Sequence, residues 1–300
     1  MTIEEKAAKQ IEELANLLLP NDKYSVSSIT KRQYNYEFTV SDSITKIKVQ
    51  IYFGKKGVKT VLQGNQESIL YQEINEIFND QQQLLFPEEK LDEPEKYVGT
   101  DESGKGDYFG PLVVAAVYVD EFLKNKFKKL GVKDSKLLSD VQIDKIAPRI
   151  IEMLDNKYSI IKISPKKYNQ LYPKFGNLNV MLNWAHSKAI EEVYNTINFN
   201  KVITDKFSKK NFIAPAKLLN ANVEFKQFSK GERYIGVAAA SILARNTFNL
   251  WFKKNKHEKI TFPKGNSDAV IKAARKLKDV AGTEFLANYV KLHFKTTKKI

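Results

Sequence analysis

Apolar residues return every three or four positions at the start of the chain: Ile3, Ala7, Ile11, Leu14, Ala15 and Leu18. That spacing predicts an amphipathic helix over residues 3–19, which Pro20-Asn21-Asp22 ends. The period then drops to two. Tyr34, Tyr36, Phe38 and Val40 alternate with Gln33, Asn35, Glu37 and Thr39, and Ile47, Val49, Ile51 and Phe53 alternate with Lys46, Lys48, Gln50 and Tyr52. Strands over 31–40 and 44–53 follow, and the loop Gly54-Lys55-Lys56-Gly57 turns the chain back into a strand over 58–63. A second helical pattern covers 69–78. The segment thus predicts helix, antiparallel sheet, helix. One sheet face packs on the helices; the other presents Lys46, Lys48, Gln50 and Tyr52, with Lys31, Gln33 and Asn35 beside them.

The stretch QQQLLFPEEKLDEPEK, residues 81–96, breaks both periods with two prolines and a cluster of acids. It divides the chain into a first domain over 1–82, a linker over 83–95 and a second domain over 96–300. The second domain opens on YVGTDESGKGDYFGPLVVAAVYVD. A short apolar run at Tyr97-Val98 leads into Asp101-Glu102, a glycine-rich turn follows, and Leu112–Val119 is β-branched and apolar throughout, as a buried strand is.

Helices and strands alternate from there. The pattern predicts helices over 121–130, 165 onward and 180–195, with Trp184, Ala185, Ala189 and Val193 on the buried side of the last. Ser139 with Gln142 reads as a capping box opening a helix to about Leu154. Strands are expected at 158–163, 201–204 and 222–228. Lys230-Gly231-Glu232 opens a helix whose Ala238, Ala239, Ala240 and Ser241 allow close approach to the sheet, and 267–278 and 283–294 read as two closing helices. This order indicates an α/β domain with a mixed sheet.

Three acidic positions stand where strands end or helices begin: the pair Asp101 and Glu102, then Asp205, then Glu232. Such edges gather at one crevice in open α/β sheets. Four converging carboxylates repel one another unless cations neutralise them, and Mg²⁺ does so through oxygen ligands. Ser103 has no accompanying base and acid, and the glycines do not form a P-loop. The bland alternative is a solvated hairpin turn carrying surface acids. His186 falls among buried positions and receives no role.

Composition narrows the chemistry further. The chain has 300 residues and no cysteine, which removes disulfides, thiolate catalysis and Cys-ligated zinc. No apolar run is long enough to cross a bilayer. The first fifteen residues lack a signal-peptide pattern, so cytoplasmic residence is expected. The net charge of +14 is uneven: residues 1–80 hold 10 basic and 11 acidic side chains, residues 95–300 hold 38 and 20. The basic excess surrounds the acidic motif, as it does where a polyanion is bound over a carboxylate site.

The run Asp101-Glu102-Ser103-Gly104-Lys105-Gly106, followed by Gly110-Pro111 and an apolar strand, resembles the first signature of the type 2 ribonucleases H. The element Asp134-Ser135-Lys136 is similar to one that the family carries near its active site. Glu232, where ribonuclease HII has an aspartate, resembles the ribonuclease HIII branch. So does the N-terminal layout, which is similar to one half of the TATA-box-binding protein.

The resemblance implies a ribonuclease H-like mixed sheet flanked by helices over most of residues 96–294, preceded by a small α+β domain. It implies Asp101, Glu102, Asp205 and Glu232 as catalytic residues and as ligands of two Mg²⁺ ions, with Mn²⁺ as an alternative. Ser103, Gly104, Lys105 and Gly106 would meet the substrate, the turn offering backbone groups to ribose 2′-hydroxyls. Lys46 and Lys48 would grip it from the first domain. The implied reaction is cutting of the RNA strand of an RNA–DNA hybrid, with 3′-hydroxyl and 5′-phosphate products. A monomer is the simplest expectation. The alternatives are cleavage at single embedded ribonucleotides, as in ribonuclease HII, and a catalytically dead hybrid-binding protein.

Overall fold

The computed structural model describes residues 2–19, 22–54, 57–65, 68–85, 91–207, 212–255 and 260–300, with backbone alone for 79–85. The expected helix stop at Pro20-Asn21, the hairpin tip Lys55-Lys56 and residues 86–90 of the expected linker lie outside the described residues. The chain divides into two units, Met1–Lys90 and Leu91–Ile300.

In the first unit, α1 (Ile3–Leu18) starts from a capping box between Thr2 and Glu5. Strands β1 (Ser25–Val26), β2 (Thr30–Lys31), β3 (Asn35–Ser41), β4 (Lys46–Gly54) and β5 (Gly57–Gln63) form an antiparallel sheet in the order β1-β3-β4-β5, with β2 also on β3. Ile47, Val49 and Ile51 join Ile11, Leu14 and Leu18 of α1 and Leu70, Ile74 and Phe78 of α2 (Ile69–Leu85) in one apolar core. Two expectations change here. The strand expected over 31–40 is interrupted after Lys31, where Arg32 N–H donates to Asn35 O at 2.7 Å and closes a turn. And α2 runs on to Leu85, past the expected end at Phe78 and into the segment read as linker.

The second unit is built on β6 (Tyr97–Ser103). It pairs antiparallel with β7 (Leu112–Val119), which pairs antiparallel with β8 (Tyr158–Ile163). On its other edge β6 runs parallel to β9 (Lys201–Asp205), and β9 runs parallel to β10 (Glu224–Phe228). The resulting order is β10-β9-β6-β7-β8, a mixed sheet. Every residue of β7 is buried, as its unbroken apolar run requires.

The helices of this unit are α3 (Glu121–Leu130), α4 (Asp140–Leu154), α5 (Pro165–Phe175), α6 (Leu178–Tyr194), α7 (Ala216–Asn220), α8 (Ile235–Lys254) and α9 (Asp268–Leu286). Helix α8 is buried from Ile235 to Ala244 and crosses β6 at Gly99, where a side chain would collide with the backbone of Gly236 and Val237. Side chains alternate along β6. Gly99 faces α8 on one side of the sheet; Thr100 and Glu102 reach His186 of α6 on the other.

Three further differences bear on the site. Residues 91–95 belong to this unit: the Glu93 carboxylate accepts from Tyr97 Oη at 2.6 Å and from Ile235 N at 2.9 Å. Trp184 is 37 % exposed; the buried side of α6 is Met181, Leu182, Ala185, His186, Ala189, Ile190 and Val193. The expected helix over 283–294 stops at Leu286, after a break at Gly282 with φ of 85°. Beyond it the chain pairs with the glycine-rich turn, Lys291 N donating to Tyr108 O at 2.9 Å and Gly110 N to Tyr289 O at 3.0 Å, and these bonds replace helical ones.

Candidate active site

The ends of β6 and β9 open into a cleft of about 410 Å³ lined by Asp101, Glu102, Ser103, the Gly104–Gly106 turn, Lys136 and Asp205. Arg245, Phe248 and Asn249 of α8, with Lys264, complete the lining. The parallel register that sets Thr100 beside Thr204 brings the acids of both strands to one edge. Glu232 is not part of the lining. It sits in a 3₁₀ turn, Gly231–Arg233, ahead of α8, and is half-buried. That turn is tied to the site: Gly231 N donates to Asp205 Oδ1 at 2.9 Å.

The acids have different environments. Burial, followed by repulsion from Glu102, raises the Asp101 carboxyl well above its usual range; Asp205 adds to this, while a bond from Glu102 N at 2.8 Å and Lys136 oppose it. Burial also works against a charge on Glu102, but the His186 imidazole and the Lys105 ammonium outweigh it and hold this carboxyl below its usual range. His186 Nε2 lies 3.3 Å from Glu102 Oε2, and Lys105 Nζ lies 3.5 Å from Oε1. Burial lowers the Lys136 ammonium, yet Asp134, Glu232, Asp101 and Asp205 together raise it above its ordinary value. Lys136 shares the cleft lining with Asp101 and Asp205, and Glu232 stands on the turn bonded to Asp205.

The glycine-rich turn is anchored at both ends. Lys105 Nζ donates to Phe207 O, and Asp107 Oδ1 accepts from Gly265 N at 2.6 Å. Gly104 has φ of 86°, and a side chain there would collide with Pro111 O and the Phe248 ring, so glycine is demanded there by the fold. Gly106 has neither constraint; nothing lies within 4 Å of where its side chain would be. Behind this part of the lining, Asp140 binds Arg245 and Asn249 at 2.9 Å and Lys264 at 2.8 Å. Burial opposes the Asp140 charge, and Lys264 and Arg245 prevail and hold the carboxyl low.

Lys46 and Lys48 lie in the other unit, on the outward face of its sheet, with Lys48 Nζ 3.8 Å from Glu37. Sequence reasoning gave no role to His186, Arg245, Asn249 or Lys264. Lys136 stood in a noticed motif without one. Polar residues inside helical patterns look alike whether they face solvent or a cleft.

The donor set suits a hard divalent cation. The acids that line the cleft, Asp101, Glu102 and Asp205, offer carboxylate oxygen and no sulfur or imidazole ligand. Among the described residues no three acidic or imidazole groups stand close enough to form a finished metal cage. The acids instead approach the cleft from separate segments.

A mixed sheet with carboxylates gathered at the ends of its central strands is the architecture of the ribonuclease H class. Residues 98–297 match the family model described as Ribonuclease HII. A ribonuclease HIII from Protochlamydia amoebophila (strain UWE25) is 39% identical over 249 residues, 81% of this chain and 80% of that protein. Bst-RNase HIII in complex with Mn²⁺ is similar at 26% identity and a TM-score of 0.60, over 96% of this chain and 94% of that one. The ribonuclease H2 from Pyrococcus horikoshii OT3 is similar over 68% of this chain and 96% of its own, at 26% identity and a TM-score of 0.56. The chain belongs to the type 2 ribonucleases H, in the ribonuclease HIII family. Its activity is accordingly that of a divalent-metal-dependent endonuclease acting on the RNA strand of RNA–DNA hybrids. No helix among the described residues is long and apolar enough to cross a membrane.

Proposed function

We propose that Asp101, Glu102, Asp205 and Glu232 are the catalytic carboxylates and hold two Mg²⁺ ions, with Mn²⁺ as an alternative. The observation that carries this is that Asp101, Glu102 and Asp205 line one cleft while the turn bearing Glu232 is bonded to Asp205. Two such ions, when bound, activate water and stabilise the leaving oxygen of a phosphodiester. The chain's own residues do the positioning. Lys105 and His186 keep Glu102 ionised, and the Asp205–Gly231 bond keeps the Glu232 turn against β9. Lys136, in the same lining, offers a cation to a phosphate bound in the cleft.

Substrate contacts follow from the turn. Ser103, Gly104, Lys105 and Gly106 form one cleft wall, and the open space at Gly106 lets a ribose approach the backbone. Residues 1–82 serve as a module that grips the hybrid through the face bearing Lys46 and Lys48, and residues 83–95 connect it to the catalytic part, 96–300. The basic surplus of the second unit supports binding of a polyanion. The protein acts as a monomer in the cytoplasm.

The preferred substrate is a continuous hybrid rather than a lone ribonucleotide in duplex DNA. A turn that reads ribose hydroxyls in succession finds few of them at a lone ribonucleotide. The test compares both substrates at equal concentration, with and without Mg²⁺. Efficient, Mg²⁺-dependent cutting of the continuous hybrid alone is expected. Comparable rates on both would overturn the specificity while leaving the nuclease mechanism intact.

A further inference from the structure

His186 is fully buried on α6 and touches three residues on two segments beside the cleft. Its Nδ1 lies 3.0 Å from the hydroxyl of Thr100, the residue before Asp101. Its Nε2 lies 3.3 Å from Glu102 Oε2. Its ring stacks on Phe207, two residues beyond Asp205, with centroids 4.7 Å apart and planes 7° from parallel. The contact with Glu102 is bent away from good hydrogen-bond geometry, and neither Nε2 nor Oε2 has another hydrogen-bond partner. Two buried polar atoms, side by side and otherwise unpartnered, are complementary only if the nitrogen carries the hydrogen.

We propose that His186 is a positioning residue that holds the Glu102 carboxylate by donating from Nε2, its tautomer set by Thr100 and its ring plane by Phe207. With the hydrogen on Nε2, Nδ1 is left as an acceptor, and the Thr100 hydroxyl donates to it. The opposite tautomer would aim a lone pair at a buried carboxylate. The arrangement leaves Glu102 Oε1, 3.5 Å from the ammonium of the cleft-lining Lys105, as the oxygen that His186 does not engage. His186 thereby fixes which oxygen is presented and ties the Thr100–Glu102 strand end to the chain just beyond Asp205. Partners that orient metal ligands in this way commonly change affinity by about 10–100-fold when removed.

The inference rests on the assignment of Glu102 as a metal ligand, and the experiment separates the two. Mn²⁺ binding to the full chain is measured by calorimetry without substrate, for the wild type, Glu102→Gln, His186→Phe and His186→Gln. His186→Phe keeps a ring against Phe207 and removes the donor. It should weaken Mn²⁺ binding by about 10–100-fold. It should also lower kcat at limiting metal with the KM for hybrid unchanged, and His186→Gln should recover part of the loss. If Glu102→Gln weakens Mn²⁺ binding and a folded His186→Phe does not, the role of His186 is overturned and the assignment of Glu102 stands. If Glu102→Gln binds as the wild type does, the assignment itself fails. The wild-type imidazole ¹⁵N shifts give a reading that needs no variant to fold: hydrogen on Nε2 is expected, and hydrogen on Nδ1 overturns the proposal.

Discussion

Asp205 Oδ1 accepts the backbone N–H of Gly231 at 2.9 Å, so the turn bearing Glu232 is registered against the end of β9. A side chain at Gly231 would sit 2.9 Å from Asp205 Cα and 3.1 Å from its nitrogen. Gly231→Ala must therefore move one segment away from the other. Misplacement of a reacting group by about 1 Å can lower turnover on the order of 100-fold. We expect kcat to fall by about 10–100-fold while the melting temperature drops only a few degrees. Unchanged kcat in a folded variant would mean that this spacing is unimportant to catalysis.

Much of this site was legible from local pattern. The unbroken apolar run of β7, the capping box at Ser139 and the strand ends bearing Asp101 and Asp205 each state their structure within a few residues. What was not legible depends on distant partners. Trp184 and His186 both fall in a helical pattern, and only packing against Thr100 and Phe207 decides that the imidazole goes inside and the indole stays half out. Residues 287–294 have helical spacing but lose their helix to pairing with Tyr108 and Gly110, nearly two hundred residues earlier. Arg245, Asn249 and Lys264 become a cleft wall only through Asp140.

Lys291 should make stability depend on pH. Its ammonium is fully buried, donates to Asp107 O at 2.8 Å, and is lowered by burial to about 7 from 10.5, with Asp107 opposing the shift. Below pH 7 the folded and unfolded chains are both protonated there. Between about 7 and 10.5 the unfolded chain holds more protons, so stability rises with pH through that window, by at most about 1.4 kcal/mol per unit. Lys291→Met removes this contribution. Urea unfolding followed by tryptophan fluorescence, which reports the second unit through Trp184 and Trp251, should show the wild type gaining on the variant from pH 7 to 9. Parallel pH profiles would contradict the buried-ammonium reading.

The second unit should work without the first, provided that the cut is made at Leu91. A chain starting there keeps Glu93, which accepts from Tyr97 Oη and Ile235 N. It should fold and cleave hybrid with a raised KM and a nearly unchanged kcat, because the lost grip acts equally on ground and transition states. A chain starting at Tyr97 loses the Glu93 carboxylate and should be less stable by about 1–3 kcal/mol. An unchanged KM in the longer chain would mean that the face bearing Lys46 and Lys48 is merely solvated.

The carboxylate centre is tested most directly at Asp101, whose charge is opposed by burial and by Glu102. Asp101→Asn preserves shape and removes one negative charge from that cluster. The measurement is cleavage of a labelled RNA–DNA hybrid by this variant at saturating Mg²⁺, read beside its hybrid affinity and its metal-free melting temperature. We expect no cleavage, hybrid affinity within a few-fold of the wild type, and a melting temperature equal or higher, since a repulsive charge has gone. Turnover near the wild-type rate would contradict the assignment of Asp101 to the catalytic centre.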